Sequence, residues 1–353
     1  MTNKHSSYDL KQMQAVPLKQ KITMTKRRIR EWYDYWDGMV YVSFSGGKDS
    51  TVLKHIVDSM YDDVPSVFVN TGLEYPEIQG FVKSIKAGKY DCFNSDVEII
   101  RPKMRFDEVI KKYGYPVVSK ELSRKIYYAR KGSSWAKEFV DGTAIDSEGR
   151  PSRYRVANRW LPLLDSPFLV SPFCCDIMKK NPANDYNKNT GRNPYIATMA
   201  EESKAREHAW MVTGCNGFDS KIPKSTPMAF WTEQDVLHYI KKFNVPYASV
   251  YGDIVPTSKD EQIEGQLTTF DILGDYDGTL LKTTGADRTG CIFCMFGCHL
   301  EKEPNRFQRL KEIHPRQYEY CINGGEMVDG KWQPSKEGLG LGKVLDYIKV
   351  KYK

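Results

Sequence analysis

The run Met39-Val40-Tyr41-Val42, followed by "SFSGGKDST" at residues 43–51, constrains this chain more than any other stretch. An apolar run over 39–44 reads as a buried strand, and Val52, Leu53, Ile56, Val57 and Met60 recur at helical spacing behind two glycines. A strand that turns tightly into a helix presents backbone N–H groups and a positive dipole end, both of which favour an anion. Gly46 and Gly47 let a phosphate approach the backbone, Ser43, Ser45, Ser50 and Thr51 offer hydroxyls, and Lys48 adds a positive charge. Asp49 is the discordant member, because a carboxylate repels a phosphate, and a bridging Mg²⁺ resolves the conflict. The spacing is not the G-x-x-x-x-G-K-[ST] of a Walker loop.

The rest of the chain repeats the strand–helix alternation. "SVFVN" (66–70) and "DVEII" (96–100) read as strands, and "YPEIQGFVKSIKAG" and residues 104–113 read as helices. "PYIATMA" (194–200) reads as another strand, and "WTEQDVLHYIKKF" as a helix with Thr232 as N-cap. This is the pattern of an α/β fold, a parallel sheet flanked by helices. Residues 9–37 are expected to be helical, 250–290 a long connection, and 301–322 a helix interrupted at Pro315. The expected organisation is a helical segment 1–38, a nucleotide-binding domain 39–245 and a cysteine-rich C-terminal module 246–353.

With 353 residues, 40% hydrophobic and 27% charged, the chain has ample material for a core. No stretch approaches the ~20 apolar residues of a membrane span. The N-terminal "MTNKHSSYDLKQMQ" has no apolar core, so a cytoplasmic location and no membrane partner are expected. A net charge of +7 is compatible with anionic ligands without requiring them. Residues 119–160 are both basic and aromatic, which reads as a solvated helical face or as an anion-binding surface.

The eight cysteines are unevenly placed. Cys174 and Cys175 are adjacent, Cys291, Cys294 and Cys298 follow as C-x2-C-x3-C, and Cys92, Cys215 and Cys321 stand alone. Clustered thiolates are soft ligands suited to zinc or an iron–sulfur group. Trp231 and Tyr239 are expected in the core, and His299 and His314 in structural roles.

These motifs together resemble the PP-loop ATP pyrophosphatase superfamily, and within it the phosphoadenosine phosphosulfate (PAPS) reductase family. "SFSGGKDS" is similar to its loop signature, "VNTGLEYPE" (69–77) to its "LDTG…FPET", and "GYPVVSKE" (114–121) to its "GYPS" loop. "ATMAEESKAR" (197–206) resembles "GxRAEESxxR", and "PMAFWTEQDVLHYI" (227–240) resembles "P…W…DVWxYI". "FCCDIMKKNP" (173–182) and "GCIFC" (290–294) resemble the iron–sulfur members, including the sulfurtransferases of DNA phosphorothioation. Two positions depart from the pattern: Met199 stands where the family has arginine, and Asn70 where it has aspartate.

The resemblance implies ATP, Mg²⁺ and a [4Fe–4S] cluster as cofactors, with Cys175, Cys291, Cys294 and Cys298 as the favoured cluster ligands and Cys174 next. Lys48, Asp49 and Ser50 carry the implied catalysis. The implied nucleotide contacts add Ser43, Ser45, Gly46, Gly47, Thr51, Asn70, Thr71, Gly72, Lys120, Glu202, Ser203 and Arg206. The intact loop favours cleavage of ATP to AMP and pyrophosphate with adenylylation of an acceptor, coupled to sulfur transfer. The alternatives are a reductase that releases sulfite from adenylyl sulfate or PAPS, and a nucleotide-dependent nucleic-acid-binding component with a structural cluster. For the reductase, the family's nucleophile sits in an "ECGLH"-like tail, which "GKVLDYIKVKYK" does not resemble. The expected partners are an adenine nucleotide, a nucleic-acid acceptor or sulfur-donor protein, and a second copy of the chain.

Overall fold

Ser6 opens helix α1 (Ser7–Ala15) with a capping box: its hydroxyl accepts from the Asp9 amide, and the Asp9 carboxylate accepts from the Ser6 amide at 2.7 Å. Val16, which precedes Pro17, is held extended, so the single helical stretch expected over 9–37 is two helices, the second being α2 (Leu18–Tyr35).

The computed structural model describes residues 3–257 and 279–353, which form two compact units interleaved along the chain. The first gathers Met1–Asn70, Glu74–Ile100 and Ala183–Thr289; the second gathers Thr71–Leu73, Arg101–Pro182 and Gly290–Lys353. The linear segments 1–38, 39–245 and 246–353 follow a different division. The N-terminal helices join the core of the first unit through Leu10, Leu18, Ile29 and Trp32, and the last segment contributes to both units.

The first unit is built on a six-stranded sheet, ordered β3-β2-β1-β5-β7-β6. Its strands are β1 (Val40–Ser43), β2 (Ser66–Val69), β3 (Val97–Ile100), β5 (Asn193–Ile196), β6 (Asn216–Gly217) and β7 (Lys224–Ser225). All pairings are parallel except that of β6 with β7. Helices α3 (Lys48–Asp58) and α4 (Pro76–Lys86) provide the crossovers from β1 to β2 and from β2 to β3. In β1, Val40 and Val42 enter one core with Val52, Ile56 and Val82, while Tyr41 enters a second cluster and meets Tyr186 edge-on at 5.0 Å. Burial on both faces explains why this central strand reads as an unbroken apolar run. Tyr186 lies on α8 (Asn181–Thr190).

The strand expected over 194–200 stops at Ile196, where the Thr198 amide donates back to the Ile196 carbonyl at 2.9 Å. Helices α9 (Lys204–Thr213) and α10 (Glu233–Phe243) follow, and Thr232 caps α10 as expected, in a capping box with Asp235. Asp235 also holds Lys21 at 2.6 Å in a buried ion pair. Trp231 and Tyr239 are core residues. The expected connection 250–290 contains a short antiparallel pair, β8 (Ile254–Pro256) with β9 (Leu281–Thr283); residues 258–278 lie outside the described residues.

The second unit contains α5 (Phe106–Tyr113), α6 (Lys120–Arg130) and α7 (Ser134–Asp141). Its strand β4 (Val117–Val118) pairs in parallel with β10 (Met295–Phe296), and Tyr115, Phe168 and Phe307 are fully buried. The interruption expected at Pro315 is present: residues 301–322 contain two helices, Arg306–Ile313 and Pro315–Ile322, parted at His314 before the proline. No helix among the described residues is long and apolar enough to cross a membrane.

Candidate functional site

Ser43 and Ile196 are register partners at the carboxyl ends of β1 and β5. There the strand order reverses: β2, next in sequence, flanks β1 on one side, and β5 flanks it on the other. A parallel sheet opens a crevice outside such a switch point. The loops after β1 (44–47) and β5 (197–203) therefore emerge side by side, which unites "SGGKDS" with "AEESKAR".

The loop's shape requires glycine at residue 46. Its φ is +72°, and a Cβ there would stand 2.8 Å from Ile78 Cγ2 and 2.9 Å from Val82 Cγ2 on α4. The Gly47 carbonyl accepts from the Thr51 amide and from the hydroxyls of Ser50 and Thr51, each at 2.9 Å, which fixes the first turn of α3. The loop amides are held by hydroxyls: Ser45 N–H by Ser50 Oγ (3.2 Å), Gly47 N–H by Ser45 Oγ (3.3 Å) and Lys48 N–H by Tyr251 Oη (3.2 Å). Tyr251 Oη in turn shares a 2.5 Å hydrogen bond with Thr289 Oγ1. An entering phosphate would exchange its oxygens for these hydroxyls.

Lys48 is buried, and its ammonium is engaged by Glu233 Oε1 at 2.9 Å and by the Asp287 carbonyl at 2.7 Å. Burial lowers its pKa, but Asp49 and Glu233 raise it by more, so the group is held above its ordinary value and charged. Burial pushes the Asp49 carboxyl above its ordinary value, opposed by Lys48, reinforced by Glu233, and opposed by Arg288 and Arg206. Its Oδ1 is buried with no hydrogen-bond partner among the described residues. An oxygen-donor carboxylate in that condition fits a hard divalent cation, and Asp49 is the residue that would hold Mg²⁺.

Arg206 and Glu202 form an ion pair on adjacent turns of the second loop and its helix, and Ser203 caps α9 by accepting from the Arg206 amide at 3.3 Å. Arg288 approaches Glu202 at 3.8 Å and also acts on Asp49. Met199 is 3% exposed and packs into the core, so the arginine that the resemblance leads one to expect there is replaced by an apolar anchor. Arg288 brings a guanidinium to the same group of charges from a distant segment. Asn70 ends β2, its amide donating to Ile100 O at 2.8 Å.

Thr71 and Gly72 fall in the second unit, where Thr71 Oγ1 accepts from the Leu73 amide at 3.1 Å. Lys120 lies there as well, paired with Asp176 at 2.8 Å. Sequence reasoning missed Glu233, Tyr251, Arg288 and Thr289. Glu233 passes for a helix N-terminal acid, and the others sit in what reads as a connection.

All five clustered cysteines belong to the second unit. Cys174 is pushed far up by burial and then by the nearby thiols of Cys291, Cys175 and Cys294. Cys175 is raised by burial and Cys294, against Lys120 and Lys179. Cys298 is pushed up to about 12 by burial, and its thiol donates to the Met295 carbonyl at 3.0 Å. Cys294 acts on Cys174, Cys175 and Cys298 alike, so the five thiols form one interacting group. Among the described residues no group of three or more His, Cys, Asp or Glu side chains is arranged to hold a metal ion. The donor chemistry, clustered thiols beside two lysines, fits a soft thiolate-bound group.

A family model described as "Phosphoadenosine phosphosulfate reductase domain" matches residues 39–132 and 164–294, more than half of the chain. An uncharacterized protein of Methanocaldococcus jannaschii is 35% identical over 125 residues, which is 35% of this chain and 29% of that protein. The phosphoadenosine 5'-phosphosulfate reductase of Proteus mirabilis is 20% identical over 206 residues, 58% of this chain and 63% of that one. The chain therefore spans less than two thirds of either relative. The crystal structure of phosphoadenylyl-sulfate reductase from Candida auris, a phosphate complex, is matched at a TM-score of 0.37 and 16% identity, over 64% of this chain and 82% of that one. The match includes the loop after β1, the Glu202–Arg206 turn and the cysteines from 174 to 294, and on it the chain belongs to the phosphoadenosine phosphosulfate reductase domain family.

Proposed function

We propose that the first unit binds Mg-ATP with its phosphates on the Ser45–Asp49 loop and catalyses cleavage between the α and β phosphates. An acceptor oxygen attacks the α phosphorus, the bond from that phosphorus to the bridging oxygen breaks, pyrophosphate leaves, and the acceptor keeps the adenylyl group. One observation carries this reading: a complete strand–Gly-Gly–helix loop at the switch point, with Lys48, Arg206 and Arg288 around the unpartnered carboxylate of Asp49. Lys48 and the loop amides hold the charge that develops on the leaving group, and Arg206 and Arg288 orient the phosphate chain. Mg²⁺, when bound, supplies neutralisation of phosphate charge. Four of Cys174, Cys175, Cys291, Cys294 and Cys298 would hold an iron–sulfur cluster, which supplies sulfur or electron chemistry when bound.

A sulfonucleotide reductase is the second reading, favoured by the description of the matched family and by the Proteus mirabilis relative. One experiment separates the two. Anaerobically purified protein is given Mg-ATP, and separately adenylyl sulfate or PAPS with a thiol; pyrophosphate, AMP and sulfite are quantified. Pyrophosphate from ATP, lost in Asp49→Ala, supports adenylylation. Sulfite from a sulfonucleotide with ATP untouched overturns it.

A further inference from the structure

The second unit contains a cavity of about 670 Å³ whose lining the nucleotide loop does not explain. It is walled by Lys125, Arg153, Tyr154, Arg155, Trp160 and His299. Its cations differ in availability. Lys125 is buried and engaged by Glu121 at 2.7 Å and by the Tyr154 carbonyl. Arg153 and Arg155 are exposed and form no ion pair among the described residues. Tyr154, between them, is 68% exposed, with the Lys125 ammonium over its ring at 5.9 Å.

The opposite kind of surface lies alongside. Trp160 meets His299 edge-on at 5.2 Å and carries the Arg159 guanidinium over its ring at 4.8 Å. His299 Nδ1 is buried with no hydrogen-bond partner among the described residues. A flat aromatic platform, a hydrogen-bonding edge and two unengaged guanidinium groups are the elements that receive an unpaired base and its phosphates. Elsewhere on the second unit, exposed cations also stand over rings: Arg124 over Trp135 at 5.1 Å and Lys131 over Tyr127 at 4.5 Å.

We propose that this basic, aromatic cavity of the second unit binds single-stranded nucleic acid, with a base stacked against Trp160 and adjacent phosphates on Arg153 and Arg155. The cavity shares Lys120 with the nucleotide contacts that the resemblance implies, but no residue of the Ser45–Asp49 loop, and the inference does not depend on the loop reading. It identifies a strand that the protein holds, whatever the loop does with ATP.

The test is fluorescence anisotropy of the full chain with a fluorescein-labelled 20-nucleotide single-stranded DNA, without ATP or Mg²⁺, across a salt series. The strand binds, and affinity falls with salt. Arg153→Ala with Arg155→Ala lowers the slope of log K against log salt by about 1.4, two phosphate contacts at about 0.7 each. Trp160→Ala weakens binding about tenfold, and Trp160→Phe restores most of it, a split that a merely misfolded variant would not produce. A duplex of the same sequence binds more weakly, because its bases are not free to stack. No binding at low salt, equal binding by wild type and variants, equal affinity for duplex, or complete displacement by equimolar AMP would each overturn the proposal. Failure of ATP cleavage with strand binding intact would count against the loop reading alone.

Discussion

Lys48 Nζ lies 2.9 Å from Glu233 Oε1, so the lysine of the loop is engaged by a carboxylate from the first turn of α10. The glutamate occupies the charge that a phosphate would use. Glu233 is 39% exposed in its side chain, so this pair is only partly desolvated and exchangeable. Glu233→Gln is expected to tighten ATP binding about two- to fivefold, the size of a partly exposed ion pair. Isothermal titration with a non-hydrolysable ATP analogue measures it.

Arg288 brings a guanidinium to Glu202 at 3.8 Å, whereas Met199 is apolar and buried. Arg288→Ala is expected to weaken ATP binding by about tenfold, the scale of one charge-assisted contact, with thermal stability unchanged because the side chain is 61% exposed. Met199→Arg is expected to destabilise the fold, since it places a charge in the core.

Asp49 links function to stability. Its folded pKa is raised, so the folded state binds more protons than the unfolded one from the ordinary value upward, and stability falls as pH rises through that window. Asp49→Asn removes this penalty. It is expected to raise the melting temperature at neutral pH while reducing pyrophosphate release by about a hundredfold or more. Differential scanning calorimetry beside the product assay checks both signs.

A second buried carboxyl is raised as well. Burial pushes Asp58 from 3.8 up to about 6, despite its 2.9 Å pair with Lys54 and its hydrogen bond from the Asn94 amide. Lys54 is pushed below its ordinary value by the same burial. Because the folded pKa of Asp58 is the higher one, its contribution to stability diminishes as pH rises from about 4 to about 6. Asp58→Asn is expected to flatten stability across that window in urea titrations at a series of pH values.

The cysteines give a loading test. Serine at Cys291 or Cys294 is expected to abolish iron and acid-labile sulfide in anaerobically prepared protein, and serine at the exposed Cys92 to leave both. Full retention with serine at Cys291 or Cys294 would remove that cysteine from the ligand set.

The phosphate loop was legible because everything that shapes it is local: an apolar strand, two glycines and a helical spacing within residues 39–60. Thr232 was legible as a cap for the same reason. Glu233, Tyr251 and Arg288 were not, because they reach the loop through the order of strands in the sheet, a relationship between segments far apart in sequence. Pro17 was overlooked as a break because the apolar positions on both sides keep helical spacing. Among the cysteines, spacing marked Cys291, Cys294 and Cys298, whereas the nearness of Cys174 to Cys291 and Cys294 comes from the fold.

The central claim is that phosphates take the places now held by the loop's own hydroxyls. A crystal structure with α,β-methylene-ATP tests it most directly. The account predicts phosphate oxygens hydrogen-bonded to the amides of Gly47 and Lys48, with Tyr251 Oη displaced and Lys48 turned from Glu233 to the nucleotide. A nucleotide bound elsewhere, with the Lys48–Glu233 pair and the Tyr251 contact intact, would contradict it.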